Sequence, residues 1–391
     1  NLSVENLMYV GTDGSLSAPT TVDGVKSWTF TPDQDFNGDI QLSYQISDNA
    51  TPTAAHVDTT ATVTVNAVND VPTITFTTGN DAGAVTEDAA TVTATGALQI
   101  SDVDTGESKF AAATHSGNYG SLQISENGAW TYTLTNGSVQ NLAANEIVTD
   151  DITVKSYDGS ASQKITIEIT GTNDTPTIIS ASPSADFTAS IAEDTSTVTG
   201  QLAISDADSG EDKFTVQTAD ATPTYGTFSI TEAGAWTYAL DNTLPTVQAL
   251  AVGDTVTDTV TVTSKDGSKT EDITVTVTGT NDVPTITSSA SEQLGTVTED
   301  GILTVTGDLD ITDVDGAAEE GFAVQTAKSI VKDGVTYGDF SIAADGAWTF
   351  NLANTSDAVQ SLTAGDQVDL TIPVFTNDGT QQDVSVTITG A

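Results

Sequence analysis

The chain has 391 residues, with 55 Asp and Glu against 9 Lys and no Arg, a net charge of −46 and no cysteine. Such a field excludes nucleic acid and anionic membrane surfaces as partners, because both need basic groups to displace their counterions. The missing thiols exclude disulfides and thiolate metal sites as the staple of small domains, and no apolar run nears the length of a membrane-spanning helix, so no membrane insertion is expected.

In chain order, residues 1 to 70 form an odd first module. Its strands are read at Trp28-Thr29-Phe30, at Ile40 to Asp48 and at Ala61 to Asn66, with a polar turn from Asp35 to Gly38 between the first two. Three alignable modules follow, at 71–174, 175–282 and 283–391. Each opens on Glu-Asp (Glu87-Asp88, Glu193-Asp194, Glu299-Asp300) and reaches an Asp-x-Asp (Asp102 and Asp104, Asp206 and Asp208, Asp313 and Asp315). A Tyr-Gly turn precedes Gly-Ala-Trp-Thr-[Tyr/Phe] at Trp130, Trp236 and Trp348. Then come a Val-Gln-x-Leu segment and a Thr-rich strand ending in Asp-Gly at Asp158, Asp266 or Asp378. In Trp130-Thr131-Tyr132-Thr133-Leu134 the large apolar groups share one strand face, which places Trp in a sandwich core rather than in a sugar-stacking site.

A joint with an Asn-Asp pair and a nearby Pro separates the modules: Asn69-Asp70, Asn173-Asp174 and Asn281-Asp282. Successive Asp positions lie 104 and 108 residues apart, which suits whole β-sandwich domains and not solenoid units. The Pro favours an extended entry into the next strand. The oxygens at the joint admit two readings, a cation site or an Asx turn leading into a strand.

The ordered set of motifs resembles the VCBS repeats of large bacterial RTX-type surface adhesins, over about 320 residues in triplicate. The first module resembles a cadherin-like adhesin repeat whose opening acidic segment is missing, and both ends read as cut from a longer array. The resemblance implies an all-β chain, a tandem array of four immunoglobulin-like or cadherin-like β-sandwich domains. It also implies type I secretion to the extracellular surface of a Gram-negative bacterium and roles in attachment and biofilm. The expected partners are calcium ions, neighbouring repeats of the same longer chain, and host or biofilm glycans or proteins. The acidic field opposes self-association, so a monomer is expected.

In calcium-binding cadherin repeats the ligands come from an early Glu, the linker Asn-Asp, and an Asp-x-Asp plus an Asp-Gly loop of the next domain. Transferred by motif, the first joint draws on Asn69, Asp70, Asp102, Asp104 and Asp158. The second draws on Glu87, Asp88, Asn173, Asp174, Asp206, Asp208 and Asp266. The third draws on Glu193, Asp194, Asn281, Asp282, Asp313, Asp315 and Asp378. Asp48 would serve a joint upstream, and Glu299 and Asp300 are candidate metal ligands by the same Glu-Asp motif. Calcium takes six to eight such oxygens. Without it, carboxylates about 5 Å apart would repel by roughly 3 kcal/mol per pair at an effective dielectric near 20. Solvated acidic loops at strand ends are the competing reading. Glu107 and Glu211 sit in a Gly-Glu pair that the fourth module replaces with Gly316 followed by Glu319-Glu320, so the acidic contribution there is less secure.

An EF-hand reading of Asp102 to Glu107 fails, since Gly falls at position 5 and Ala113 at position 12. Two histidines, His56 and His115, read as surface loop residues without a catalytic motif, and no nucleophile elbow or phosphate loop is present. The expected function is a non-catalytic extender segment of an adhesin, stiffened by calcium at its joints. The alternative is that one domain, 1–70 or 283–391, is itself a calcium-dependent glycan- or protein-binding module.

Overall fold

The computed structural model describes residues 1–181, 187–221, 223–317 and 319–391. The chain divides into two compact units, Asn1–Asp174 and Thr175–Ala391. It is an all-β protein of β-sandwiches.

The second repeat shows the plan. One sheet pairs the nine-residue strands Ile147–Lys155 and Ser162–Thr170 antiparallel, and Ala82–Thr86 then adds parallel to the outer side of Ser162–Thr170. The facing sheet runs Thr93–Ala97, Ala129–Leu134, Gly120–Ile124, Ala113–Ser116. The alternating Thr and aliphatic residues dictate this layering. A period of two puts Ile165, Ile167 and Ile169 on the inner face at 0 % exposure while their Thr and Glu neighbours face outward. Trp130, Tyr132 and Leu134 meet them from the other sheet, as their shared face predicts. The third and fourth repeats build the same core around Trp236 and Trp348.

Each Trp ring lies flat against a glycine of the neighbouring strand. A Cβ added at Gly96, Gly200 or Gly307 would stand 2.4, 2.4 or 2.5 Å from the ring, so these positions are glycine for lack of space. The indole N–H of Trp130 donates to the Asn80 carbonyl at 2.8 Å and that of Trp348 to the Glu292 carbonyl at 3.0 Å, which satisfies the one polar atom each ring buries.

A buried polar knot distinguishes the second and third repeats from the fourth. The Asp150 carboxylate accepts from the backbone N–H groups of Asn118 (2.8 Å) and Tyr119 (3.1 Å) and from the Tyr132 hydroxyl (2.9 Å). Asp258 does the same for Thr224, Tyr225 and Tyr238. Burial and the neighbouring carboxylate push both tyrosine hydroxyls far above their ordinary pKa. In the fourth repeat Leu370 and Phe350 occupy the corresponding strand positions, both buried. The long segment before Tyr337 there is a strand hairpin, Gln325–Lys332 with Val335–Ile342, turned by Asp333 and Gly334, both at positive φ. Hairpin pairing thus takes over the turn that the Asp carboxylate holds in the other repeats.

The first module is thinner. Its sheet orders Ser3–Tyr9, Gly38–Ser47 and His56–Val65, and among its apolar residues only Ile40 and Leu42 are buried. Two short hairpins, Gly14–Leu16 with Phe30–Pro32 and Thr20–Val22 with Val25–Ser27, accompany it. The expected Trp28-Thr29-Phe30 strand is interrupted, since strand structure stops at Ser27 and resumes at Phe30. The histidines also depart from expectation. Both lie on strands, His56 exposed at the start of His56–Val65 with its Thr/Val-rich run, and His115 half-buried opposite Leu122, where strand pairing with Gly120–Ile124 outweighs its polarity.

Candidate metal centre

Three motifs distant in sequence converge at the strand ends. The early glutamate follows the parallel strand directly. Its backbone N–H donates to the last carbonyl of the final strand: Glu87 to Thr170, Glu193 to Thr278 and Glu299 to Thr389, at 2.9 to 3.0 Å. The side chains are 0, 2 and 6 % exposed. One carboxylate oxygen caps the chain as it leaves the sheet, accepting from the N–H of Thr172 (3.2 Å, Glu87) or of Thr280 (2.5 Å, Glu193). The other oxygen of Glu193, like Oε2 of Glu299, is buried without a hydrogen-bond partner. Burying a carboxylate oxygen this way is costly unless a cation completes it.

The Asp-x-Asp motifs form the same loop three times. In each, the first carboxylate accepts the N–H of the second Asp at 3.0 Å, at Asp102–Asp104, Asp206–Asp208 and Asp313–Asp315. The joint then docks on that loop. The N–H of Asp70 donates to Asp104 and that of Asp282 to Asp315, both at 2.8 Å. The joint Asn bends back on its own backbone. Its amide N–H donates to the carbonyl of Asp70, Asp174 or Asp282, which leaves the amide oxygen as the group to offer a cation.

Among the described residues, carboxylates gather at three places, with candidate ligand atoms within 4.8 Å of one another: Asp102, Asp104 and Glu107; Glu193, Asp282 and Asp315; Asp206, Glu211 and Asp266. Crowding is felt as proton affinity. Burial, then Asp104, Asp158 and Asp102, raise Glu107, and burial, then Asp208, Asp266 and Asp206, raise Glu211. Burial leads again at Glu193, where the Thr280 N–H opposes it while Asp282 and Asp315 add to it. Asp282 is raised by burial and by Asp194, Asp315 and Asp313. Asp70 is raised by burial, then by Asp35, Asp104 and Asp102. The donor set is all oxygen and includes orphaned buried atoms at Glu193, Asp282 and Asp315, while Lys109 and Lys265 only partly offset the charge around Glu107 and Glu211, which fits a hard divalent cation.

Not every residue singled out from the sequence joins these clusters. Asp88 and Asp300 serve a clasp at positive φ. Each donates its N–H to Asn136 or Asn354, and its carboxylate accepts that same Asn amide and the Gln of Val-Gln-x-Leu, Gln140 or Gln360. Asp194 donates its N–H to the Asn242 side-chain oxygen and its carboxylate accepts from Gln248, while the Asn242 amide donates to the Thr195 carbonyl, yet Asp194 stays near enough to act on Asp282. Asp378 is engaged by the Thr376 hydroxyl and by Thr380. Asp158 is bound by Ser156, Ser160 and Asn69, which hold it well below the usual carboxylate range. Asp48 accepts the N–H groups of Ala50 and Ala55 and is lowered by them. Conversely, Glu107, Glu211 and Asp35 bear on the clusters although the motif transfer left them out.

The sequence profile of the bacterial cadherin-like domain matches residues 69–171 and again 173–279, and that of a cadherin-like domain matches 1–66. The chain belongs to the bacterial cadherin-like domain family. No curated protein matches this bacterial cadherin-like chain. Among solved structures it is similar to Protocadherin Gamma B2 extracellular cadherin domains 1-5, at 16 % identity and a TM-score of 0.50, over 100 % of this chain and 73 % of that one. The Protocadherin GammaB4 extracellular domain matches at 16 % identity and TM-score 0.45, and this chain spans 61 % of its length. Drosophila N-cadherin EC1-4 matches at 14 % identity and TM-score 0.36, over 100 % of this chain and 92 % of that one. At these identities the likeness is one of fold.

Proposed function

We propose that this chain is a non-catalytic extender segment of a secreted bacterial surface adhesin of the VCBS and RTX type, with calcium stiffening its joints. Its partners are then calcium, the flanking repeats of a longer chain, and the biofilm or host surface that the adhesin grips. Four domains, 1–70, 71–174, 175–282 and 283–391, carry the load in series. The observation that supports this best is the gathering of Glu193, Asp282 and Asp315 from a strand end, a joint and the next repeat, with one oxygen of each buried and unpartnered.

At the first joint the ligands would be Asp70, Asp102, Asp104 and Glu107, with the Asn69 amide oxygen and Asp158 beside them. At the third they would be Glu193, Asp282, Asp313 and Asp315, with the Asn281 amide oxygen. Bound calcium would join the two sides of these two joints through its ligands and remove the repulsion that otherwise favours bending. Its mechanism is mechanical, since a cation that binds only the folded joint stabilises it by mass action. Thermal unfolding and limited proteolysis of the full chain, in calcium and in chelator, test this. An unchanged melting profile together with unchanged cleavage at residues 66–70 and 279–283 would refute the proposal.

A further inference from the structure

Three Asn-Gly pairs occur in the chain, Asn37-Gly38, Asn127-Gly128 and Asn136-Gly137. In such a pair the glycine nitrogen is tethered beside the asparagine side-chain carbonyl, and no Cβ hinders its closing a small imide ring there. Two of the three pairs are held against it. Gly38 opens a paired strand opposite Val65. The buried Gly128 donates its N–H to the Ser125 carbonyl at 2.9 Å, while the Asn127 side-chain oxygen accepts from the Ser125 hydroxyl and the Ala129 N–H. Asn136-Gly137 differs. It begins the 3-10 turn Asn136–Ser138, where the first N–H groups lack an intrahelical acceptor, and the exposed Gly137 N–H has no hydrogen-bond partner among the described residues. The clasp meanwhile holds the Asn136 amide at both ends. The Asp88 N–H donates to the amide oxygen at 3.1 Å, and the Asp88 carboxylate accepts from the amide nitrogen. The equivalent Asn242 and Asn354 are followed by Thr243 and Thr355, and the Thr243 N–H is taken by the Asp241 carboxylate at 3.0 Å.

We infer that Asn136 is a self-modification site, at which the second repeat converts its own asparagine to aspartate and isoaspartate. The Gly137 nitrogen gives its proton to solvent and bonds to the Asn136 Cγ. Negative charge then develops on the side-chain oxygen, to which the Asp88 N–H already donates. The Cγ–Nδ2 bond breaks and the nitrogen leaves as ammonia, with a proton that the Asp88 carboxylate relays from solvent. Water opens the resulting imide at one carbonyl to give aspartate, or at the other to give isoaspartate, so water is the one co-reactant. The product undoes the clasp that promoted it. A carboxylate replaces the amide donor beside Asp88, and two like charges meet where a donor met an acceptor. The reaction is a one-way, time-dependent release of Asp88 from the turn, confined to the second repeat, and it needs no cation.

The test incubates the full chain in mildly alkaline buffer made with heavy-oxygen water, native and in urea, and reads each asparagine by peptide mass spectrometry, with isoaspartate resolved by chromatography. Label should accumulate at Asn136 in the native chain at least as fast as in urea, because the clasp supplies a donor for the developing charge that the unfolded chain lacks. Asn127 should react about tenfold or more slowly in the native chain than in urea, since it waits on local opening. Gly137→Thr should abolish the reaction at Asn136, and Asp88→Asn, which keeps the backbone donor but not the proton relay, should slow it. Asn136 remaining unlabelled in the native chain while the chain in urea converts would overturn the inference. So would labelling that survives Gly137→Thr. Asn136→Asp should speed amide exchange along 86–90 and 136–140 by about threefold or more, and unchanged exchange would refute the release of the clasp.

Discussion

Removing Asp150 alone should be at least as damaging as removing it together with its hydroxyl partner. Asp150→Leu leaves the Tyr132 hydroxyl, in a side chain at 0 % exposure, without its acceptor, and frees the N–H groups of Asn118 and Tyr119. An orphaned buried donor costs about 1–3 kcal/mol, and the two backbone donors lie where water can partly replace the carboxylate, so a loss of roughly 3 kcal/mol is expected. Tyr132→Phe alone keeps two of the three donors on Asp150 and should cost about 1 kcal/mol. The double substitution copies the Phe350 and Leu370 arrangement, and should be less destabilised than the sum of the singles by about 1–2 kcal/mol. Because a chain with several cores does not unfold in one step, the readout is amide exchange along 120–134 under native conditions, which reports local opening. Additive losses, or a double variant worse than Asp150→Leu, would refute the view that the two residues form one exchangeable unit.

Three further outcomes follow from the packing. Gly96→Ala sets a methyl group against the Trp130 ring, and should cost about 1–3 kcal/mol in the second repeat, read as faster exchange there and a shift in indole fluorescence. Glu87→Ala removes the acceptor for the Thr172 N–H and for Gln140, and should open residues 170–174 to protease even in chelator, whereas Glu87→Gln keeps one acceptor and should be milder. Asn354→Ala should loosen the Asp300 clasp. Its carboxylate, held below the usual range by Asn354 and then Gln360, should move back toward an ordinary value in an NMR pH titration, with calcium binding at 282–315 unaffected.

The repeat structure was legible because each motif recurs in fixed order, and the Trp-Thr-Tyr alternation alone placed Trp130 in the core. The recurring Glu-Asp motif marks the glutamate, but its capping of the departing strand depends on the parallel register, which no local pattern reveals. Its neighbour Asp88 looked equally like a ligand. The Asn136 that claims it is 48 residues away and carries no motif of its own. Glu107 and Glu211 were visible in a Gly-Glu pair, yet only the fold of the loop turns them toward Asp104 or Asp208. Asp35 belongs to a turn of the first module, and its action on Asp70 arises from two modules meeting within one unit. Sequence gave residue types at each joint, and convergence is a property of the chain path.

The central claim is tested most directly by calorimetric titration of the chelator-treated full chain with calcium, alongside the Glu193→Gln variant. Calcium binding at more than one site is expected, with one class weakened about tenfold or more in the variant, because one carboxylate oxygen of Glu193 is buried without a hydrogen-bond partner beside Asp282 and Asp315. No heat of binding in either protein, or identical isotherms for the two, would contradict the assignment of Glu193, Asp282 and Asp315 as a calcium centre.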